Sequence, residues 1–260
     1  MTNALHPAEK VTFSPFVIKK TGLQQATLTL GNYSLICIPI IADKEQISLL
    51  AALSKDEISF FQSFNGSFGG LSMVFSSRNP GQPFKLFARC EIRAIAAMAG
   101  RENAARIEAA FRPCPNDLIR ILGEYQLTLM RLKAEQDDYR DKPVRITPES
   151  AREMGYNNYA VLTRGVSQFK TALYSLSTKA CELLLPMHTP DIQTPETCSL
   201  KLFFQRYQFS VQGRIGDSAR LPSGVLKLKL DLSFSPELVE ILGSYFIQSR
   251  FNRRSGAQTG

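Results

Sequence analysis

The chain has 260 residues, enough for two ordinary domains each with its own core. With 44% hydrophobic and 21% charged residues it reads as a folding sequence rather than a disordered one, and no apolar run approaches the ~18 residues of a membrane span. The net charge of +8 favours anionic partners, but it is scattered over both halves, as on a solvated surface, rather than gathered into a nucleic-acid-binding stripe.

The first segment, Met1 to Lys10, lacks the apolar core of a secretory leader, so a cytoplasmic protein is expected. The five cysteines (Cys37, Cys90, Cys114, Cys181 and Cys198) form no Cys-x-x-Cys pair, and their number is odd. Neither a disulfide framework nor a zinc site follows from that spacing. The two histidines, His6 and His188, have no metal-ligand or nucleophile-base neighbour at useful spacing. No acid-base or nucleophilic constellation stands out elsewhere. The expectation is a protein without catalytic residues, metal or cofactor.

In chain order, Phe16 to Lys20, Ala26 to Leu30, Tyr33 to Ile38 and Glu57 to Gln62 read as short strands. Thr27, Leu28, Thr29 and Leu30 alternate polar and apolar, the period of a half-buried strand. A glycine corner, Asn65-Gly-Ser-Phe-Gly-Gly70, opens into the next apolar run, and Phe84 to Arg93 alternates again. Ala104 to Phe111 is assigned as strand. Pro113 and Pro115 break the pattern, Asn116 or Asp117 can cap a helix, and from Leu118 the apolar residues fall at helical spacing. This helix runs into the charged stretch 133–142, which Pro143 stops.

The second half repeats the plan. Its strand-like pieces are Asn158 to Thr163, Phe169 to Leu176, Ala180 to Leu185, Leu200 to Val211 and Val225 to Leu232. Phe234-Ser-Pro236 then leads a second helix, with proline in the first turn. Leu118-Ile-Arg-Ile-Leu-Gly-Glu-Tyr125 and Leu238-Val-Glu-Ile-Leu-Gly-Ser-Tyr245 share Leu, Ile, Leu, Gly and Tyr in register, 120 residues apart. Ser67-x-x-Gly70 and Ser177-x-x-Ala180 precede similar apolar runs 110 residues apart. Two such marks in the same order point to an internal duplication. The expected architecture is mainly β: two tandem antiparallel barrels, each followed by a C-terminal helix. The expected boundaries are residues 10–136 for the first, 137–146 for a linker, 147–251 for the second and 252–260 for a disordered tail.

The stretch Ser175-Leu-Ser-Thr-Lys-Ala180, a polar turn entering an apolar strand, resembles the Asp/Asn-x-Ser-x-x-Gly corner of PilZ domains. So does the order of strands, corner and Phe/Pro-led helix. The fit is best for residues 140–250, with residues 10–136 as a divergent partner barrel, as in the two-barrel PilZ proteins of spirochaetes. The resemblance implies cyclic di-GMP as ligand, held by an Arg-x-x-x-Arg pair in the segment entering the barrel together with the corner. Here Arg140 and Arg145 stand five apart rather than four, Ser175 replaces Asp or Asn, and Ala180 replaces Gly; Ser177 is the residue the pattern has. The expected nucleotide-binding set is therefore Arg140, Arg145, Ser175, Ser177 and Ala180. Asn65, Ser67 and Gly70 match the corner fully and form a possible second one, but no arginine precedes them in the chain.

Arginine suits such a ligand. A guanidinium pairs in a fork with guanine O6 and N7 or with a phosphodiester, and stacks on a ring face. The resemblance thus implies a non-enzymatic cyclic di-GMP effector whose two barrels rearrange on binding and change a surface for an unknown protein partner. Two other readings stay open: an adaptor that has lost the nucleotide and works through protein contacts, and a nucleic-acid-binding protein.

Overall fold

Alternation builds most of this molecule. The computed structural model describes residues 10–76, 83–139, 142–190, 192, 194–205 and 207–256. The chain divides into two units between Thr128 and Leu129.

The first unit contains β1 (Val11–Thr12), α1 (Pro15–Thr21), β2 (Leu23–Leu30), β3 (Tyr33–Ala42) and β4 (Gln46–Ala51). It continues with α2 (Lys55–Phe61), a 3-10 turn (Gln62–Phe64), β5 (Phe68–Phe75), β6 (Phe84–Ala97), β7 (Ala105–Phe111) and the start of α3 (Asn116–Tyr139). The strands pair antiparallel in the order β3-β2-β5-β6-β7-β4, and β4 returns to β3, so six strands close a barrel; β1 pairs with β3 outside that ring. Closure leaves the ring without a free edge. Leu28, Leu30, Leu49, Leu71, Met73, Ile92 and Ile107 are fully buried, each the inward member of an alternating strand.

The second unit contains the end of α3, then β8 (Val144–Arg145), α4 (Pro148–Met154), β9 (Tyr156–Arg164), β10 (Ser167–Leu176) and β11 (Ala180–Leu185). It ends with β12 (Glu196–Phe204), β13 (Tyr207–Arg220), β14 (Leu226–Leu232) and α5 (Pro236–Gly256). Its ring, β10-β9-β12-β13-β14-β11 closing on β10, is again six antiparallel strands, and β8 pairs with β10 as β1 pairs with β3. Leu162, Leu183, Leu200, Leu228 and Leu230 fill its interior, and Leu238 and Leu242 of α5 join that core. The protein is mainly β, two tandem six-stranded antiparallel barrels each followed by a helix, as expected.

The structure corrects several local expectations. Phe16 to Lys20 and Glu57 to Gln62 belong to helices, not strands. Their apolar triplets resemble buried strands, but their flanks carry helix signals. Ser14 accepts from the Val17 amide at 3.3 Å, Pro15 opens the first turn, and Gly22 ends the helix at φ 72°. Ser54 and Glu57 form a reciprocal capping box, with the Ser54 amide donating to Glu57 Oε2 at 2.7 Å. Leu200 to Val211 is two strands, β12 and β13, paired as a hairpin. The backbone of α5 runs on to Gly256 through the first part of the expected tail, and 257–260 lie outside the described residues.

The duplication is deeper than the two sequence marks, and the structure pairs Ser177 with a residue other than Ser67. Gly22 and Gly155 both end a short helix in the left-handed region, 133 residues apart, with φ of 72° and 69°. Ser177, between β10 and β11, has as its counterpart Asp43, between β3 and β4, not Ser67. Asp43 Oδ1 accepts from the amides of Glu45 and Gln46, as Ser177 Oγ accepts from those of Lys179 and Ala180. Ser67 instead precedes β5, whose counterpart is β12. Among the described residues no helix is long and apolar enough to cross a membrane.

Candidate functional site

Of the expected ligand-binding residues, the second barrel sets Arg145 and Ser175 on its outer face. β8 is only two residues long; Val144 turns into the core and Arg145 outward. Cross-strand register then sets Arg145, Ser175, Glu182 and Lys229 side by side across β8, β10, β11 and β14. A bulge between Leu173 and Ser175 makes this row possible. It lets Leu173 and Leu176 both point inward while Tyr174 and Ser175, consecutive in the chain, stay out of the core.

The corner is a self-satisfied turn. Ser177 is buried; its Oγ donates to the Ala180 carbonyl at 3.1 Å and accepts from the Ala180 amide at 3.0 Å, while the Ser177 amide also donates to the Ala180 carbonyl at 2.8 Å. Thr178 is fully buried and donates from Oγ1 to the Gln136 carbonyl, while Gln136 Nε2 donates to the Thr178 carbonyl, both at 3.0 Å. Lys179 forms an ion pair with Asp137. Ser177 thus shapes the corner, and what the row offers a ligand comes from its neighbours.

Those neighbours form a compact polar and aromatic cluster. Ser175 Oγ donates to Glu182 Oε2 at 2.8 Å, and Lys227 Nζ donates to Glu182 Oε1 at 2.7 Å. The Arg145 guanidinium lies 4.9 Å from the Tyr174 ring centroid and the Lys227 ammonium 4.7 Å from the same ring. Arg145 also borders a cleft of about 510 Å³, shared with Tyr139, Lys142, Glu149, Tyr245 and Phe246. Two cations, a flat ring and an anchored carboxylate within one patch suit a planar ligand that bears phosphate. Ala180, at the start of β11, pairs with Asp231 of β14 on the adjoining row. Arg140 lies outside the described residues.

The Lys227 hydrogen bond, then that of Ser175, holds the Glu182 carboxyl below its usual range. Because the folded-state value is depressed, this contribution to stability is present above the unfolded glutamate range near ~4.3 and is lost as pH falls through the folded value. The side chain is 29% exposed, so solvent screens the effect. Thermal melts of wild type and Glu182→Gln are accordingly expected to differ most near neutral pH and to converge as pH falls through the depressed folded-state range of the carboxyl. A difference that widened in acid would contradict the ion pair.

The first barrel lacks this patch. At matching positions it has Thr12 for Arg145, Ile41 for Ser175, Asp43 for Ser177 and Ser48 for Glu182. Arg106 there is engaged with Ser48, at 3.0 Å from Nε to Oγ, and with Glu108. Asn65, Ser67 and Gly70 have local structural roles. The Asn65 amide closes the 3-10 turn on the Gln62 carbonyl, and Ser67 Oγ donates to the Phe64 carbonyl at 2.6 Å. Gly70 lies under the Phe87 ring, where a Cβ would come within 2.7 Å of ring carbons.

The thiols, four buried and that of Cys114 half-buried, are poor nucleophiles. Burial pushes Cys37, Cys114 and Cys198 up to about 11 and Cys90 to about 12, and moves Cys181 in the same direction. Among the described residues no cluster of three or more His, Cys, Asp or Glu side chains is arranged to hold a metal ion. Sequence reasoning missed Tyr174, Glu182 and Lys227. The available signal was strand alternation, since an even-numbered charge at Glu182, between inward Cys181 and Leu183, has to face outward beside the corner.

No protein-family model matches the chain, and no curated protein matches it. Several solved structures are similar, among them these three. The PlzA protein of Borreliella burgdorferi, in complex with c-di-GMP, is 13% identical with a TM-score of 0.46 and covers 92% of this chain and 94% of its own. YcgR from Escherichia coli, in complex with c-di-GMP, is 12% identical with a TM-score of 0.34, covering 93% and 90%. The Bacillus subtilis inhibitor of motility MotI is 13% identical with a TM-score of 0.31, covering 89% and 98%. The barrel assignment here rests on this chain's own strand pairings.

Proposed function

We propose that the chain is a non-enzymatic, cytoplasmic effector that responds to cyclic di-GMP, binding it on the outer face of the second barrel. The observation that carries this reading is the registered row Arg145, Ser175 and Glu182 beside the Ser175-x-Ser177-x-x-Ala180 corner. Arg145 and Arg140 would supply guanidinium groups to guanine and phosphate, Tyr174 a ring face for stacking, and Lys227 a second charge for phosphodiester oxygens. Ser177 and Ala180 would hold the turn against which the ligand lies. In this reading binding changes the arrangement of the two barrels, driven by different ligand affinities of the two arrangements, and alters a surface for a protein partner.

Calorimetric titration of the whole chain with cyclic di-GMP, with GTP as control, tests the proposal. A selective constant in the micromolar range or tighter is the expected result. A melting curve in excess ligand checks a heat-silent case, because ligand at ~100 times its dissociation constant stabilises by about 2.7 kcal/mol. Silence in both assays overturns the reading.

The hydrogen bonding of Ser177 within its own turn favours a second reading, a corner that keeps its shape without a nucleotide in a protein-binding adaptor. In that case neither assay responds to cyclic di-GMP. Binding to generic DNA or RNA that weakens steeply with salt would instead support the nucleic-acid reading left open by the net charge.

A further inference from the structure

We infer that Glu182 is the residue that reads guanine in this site; the inference rests on the cyclic di-GMP reading above. A carboxylate has two oxygens and about four acceptor positions. In Glu182 one position on each oxygen is taken, Oε2 by the Ser175 hydroxyl and Oε1 by the Lys227 ammonium. Each oxygen therefore keeps a second acceptor position. Guanine carries two neighbouring donors on one edge, N1–H and the N2 amino group, and two parallel N–H bonds to a carboxylate are a strong, planar match.

The surroundings support that role. Glu182 stands in register with Ser175, and Ser175 with Arg145, so the carboxylate and the guanidinium lie in the same cross-strand row. The Tyr174 ring, with cations 4.7 and 4.9 Å from its centroid, gives the neighbouring flat surface. The two anchors limit the carboxylate's freedom before any ligand arrives, which lowers the ordering cost of binding. The plainer account is a surface ion pair between Glu182 and Lys227, which would be worth little and would have no part in recognition. That account predicts no base preference. The recognition account does, because adenine places an N1 lone pair where guanine has N1–H, and a carboxylate repels it.

The test is titration of wild type, Glu182→Gln and Glu182→Ala with cyclic di-GMP and cyclic di-AMP. In Glu182→Gln the amide oxygen can accept from Lys227 while the amide NH2 donates to the Ser175 hydroxyl oxygen, so the side chain keeps both neighbours with one bond reversed, and melting curves for both variants verify folding. Wild type is expected to prefer the guanine dinucleotide. Each variant should lose roughly 10- to 100-fold in affinity for it, the range for one bidentate base contact, without a matching loss for cyclic di-AMP. A Glu182→Gln variant that binds cyclic di-GMP like wild type makes Glu182 a bystander, and one that binds it more tightly makes Glu182 a competing anion. Either result overturns the inference while leaving the ligand reading in place. If wild type binds neither dinucleotide, the ligand reading fails and the role of Glu182 falls with it.

Discussion

Leu230→Ala is expected to destabilise the second barrel by about 2–5 kcal/mol, the cost of an unfilled cavity in a close-packed core. Leu230 is fully buried at the middle of β14, between Cys181 of β11 and Ile215 of β13 in register. Its side chain lies among Leu183, Leu200 and Leu228, and neighbours held by a closed ring of strands have little freedom to collapse into the space. A shape-conserving Leu230→Met change should cost less, under about 1.5 kcal/mol. Denaturant melts give the magnitude, and hydrogen exchange gives the location. Because each unit has its own core, amides of β9 to β14 should lose protection while those of β2 to β7 keep theirs. Uniform loss of protection would mean that the two barrels unfold as one cooperative body.

Arg145→Ala is expected to weaken cyclic di-GMP binding about 100-fold, equivalent to ~2.7 kcal/mol, for loss of a charge-assisted fork at a phosphate or base edge. The fold should survive, since Arg145 is exposed and its stacking on Tyr174 contributes at most about 1 kcal/mol at such a site. Arg145→Lys should recover only part of the affinity, because an ammonium keeps the charge but not the planar fork. Adding Arg140→Ala to Arg145→Ala tests the pair named from the sequence: a further loss places Arg140 at the ligand, whereas no further loss leaves Arg145 alone there. If Arg145→Ala binds as wild type does, the site lies elsewhere.

Much of the architecture is legible in the amino-acid sequence. The alternation of residues 26–30, 84–93 and 225–232 identifies strands whose inward members are the observed core, and the shared register of Leu118 and Leu238 marks the two closing helices at their true spacing. Short apolar segments are harder, because periodicity alone does not separate strand from helix over five residues. At Phe16 and Ile58 the decision lay in the flanks: Ser14-Pro15 ahead of one, and Ser54 with Glu57 around the other. The Ser67 and Ser177 pairing went astray for a different reason. A Ser-x-x-small pattern is satisfied by many turns, whereas the equivalence that holds is between chemically different residues, Asp43 and Ser177, whose oxygens accept from the same two backbone positions. Of the candidate site, Arg145 and Ser175 were legible as residues but their adjacency was not, since it depends on a two-residue strand and on a bulge. Glu182, two residues beyond the corner, has no place in the motif; alternation along β11 turns it outward and pairing with β10 sets it opposite Ser175.

The anchoring of the corner to α3 has a mechanical consequence. Thr178 and Gln136 exchange two hydrogen bonds, and Lys179 pairs with Asp137, so the turn is fastened to the last residues of a helix that starts in the other unit. Any change that shifts Thr178 or Lys179 must therefore either break the contacts with Gln136 and Asp137 or carry them along, so within the second unit the corner and the last turn of the helix behave as one clamped hinge.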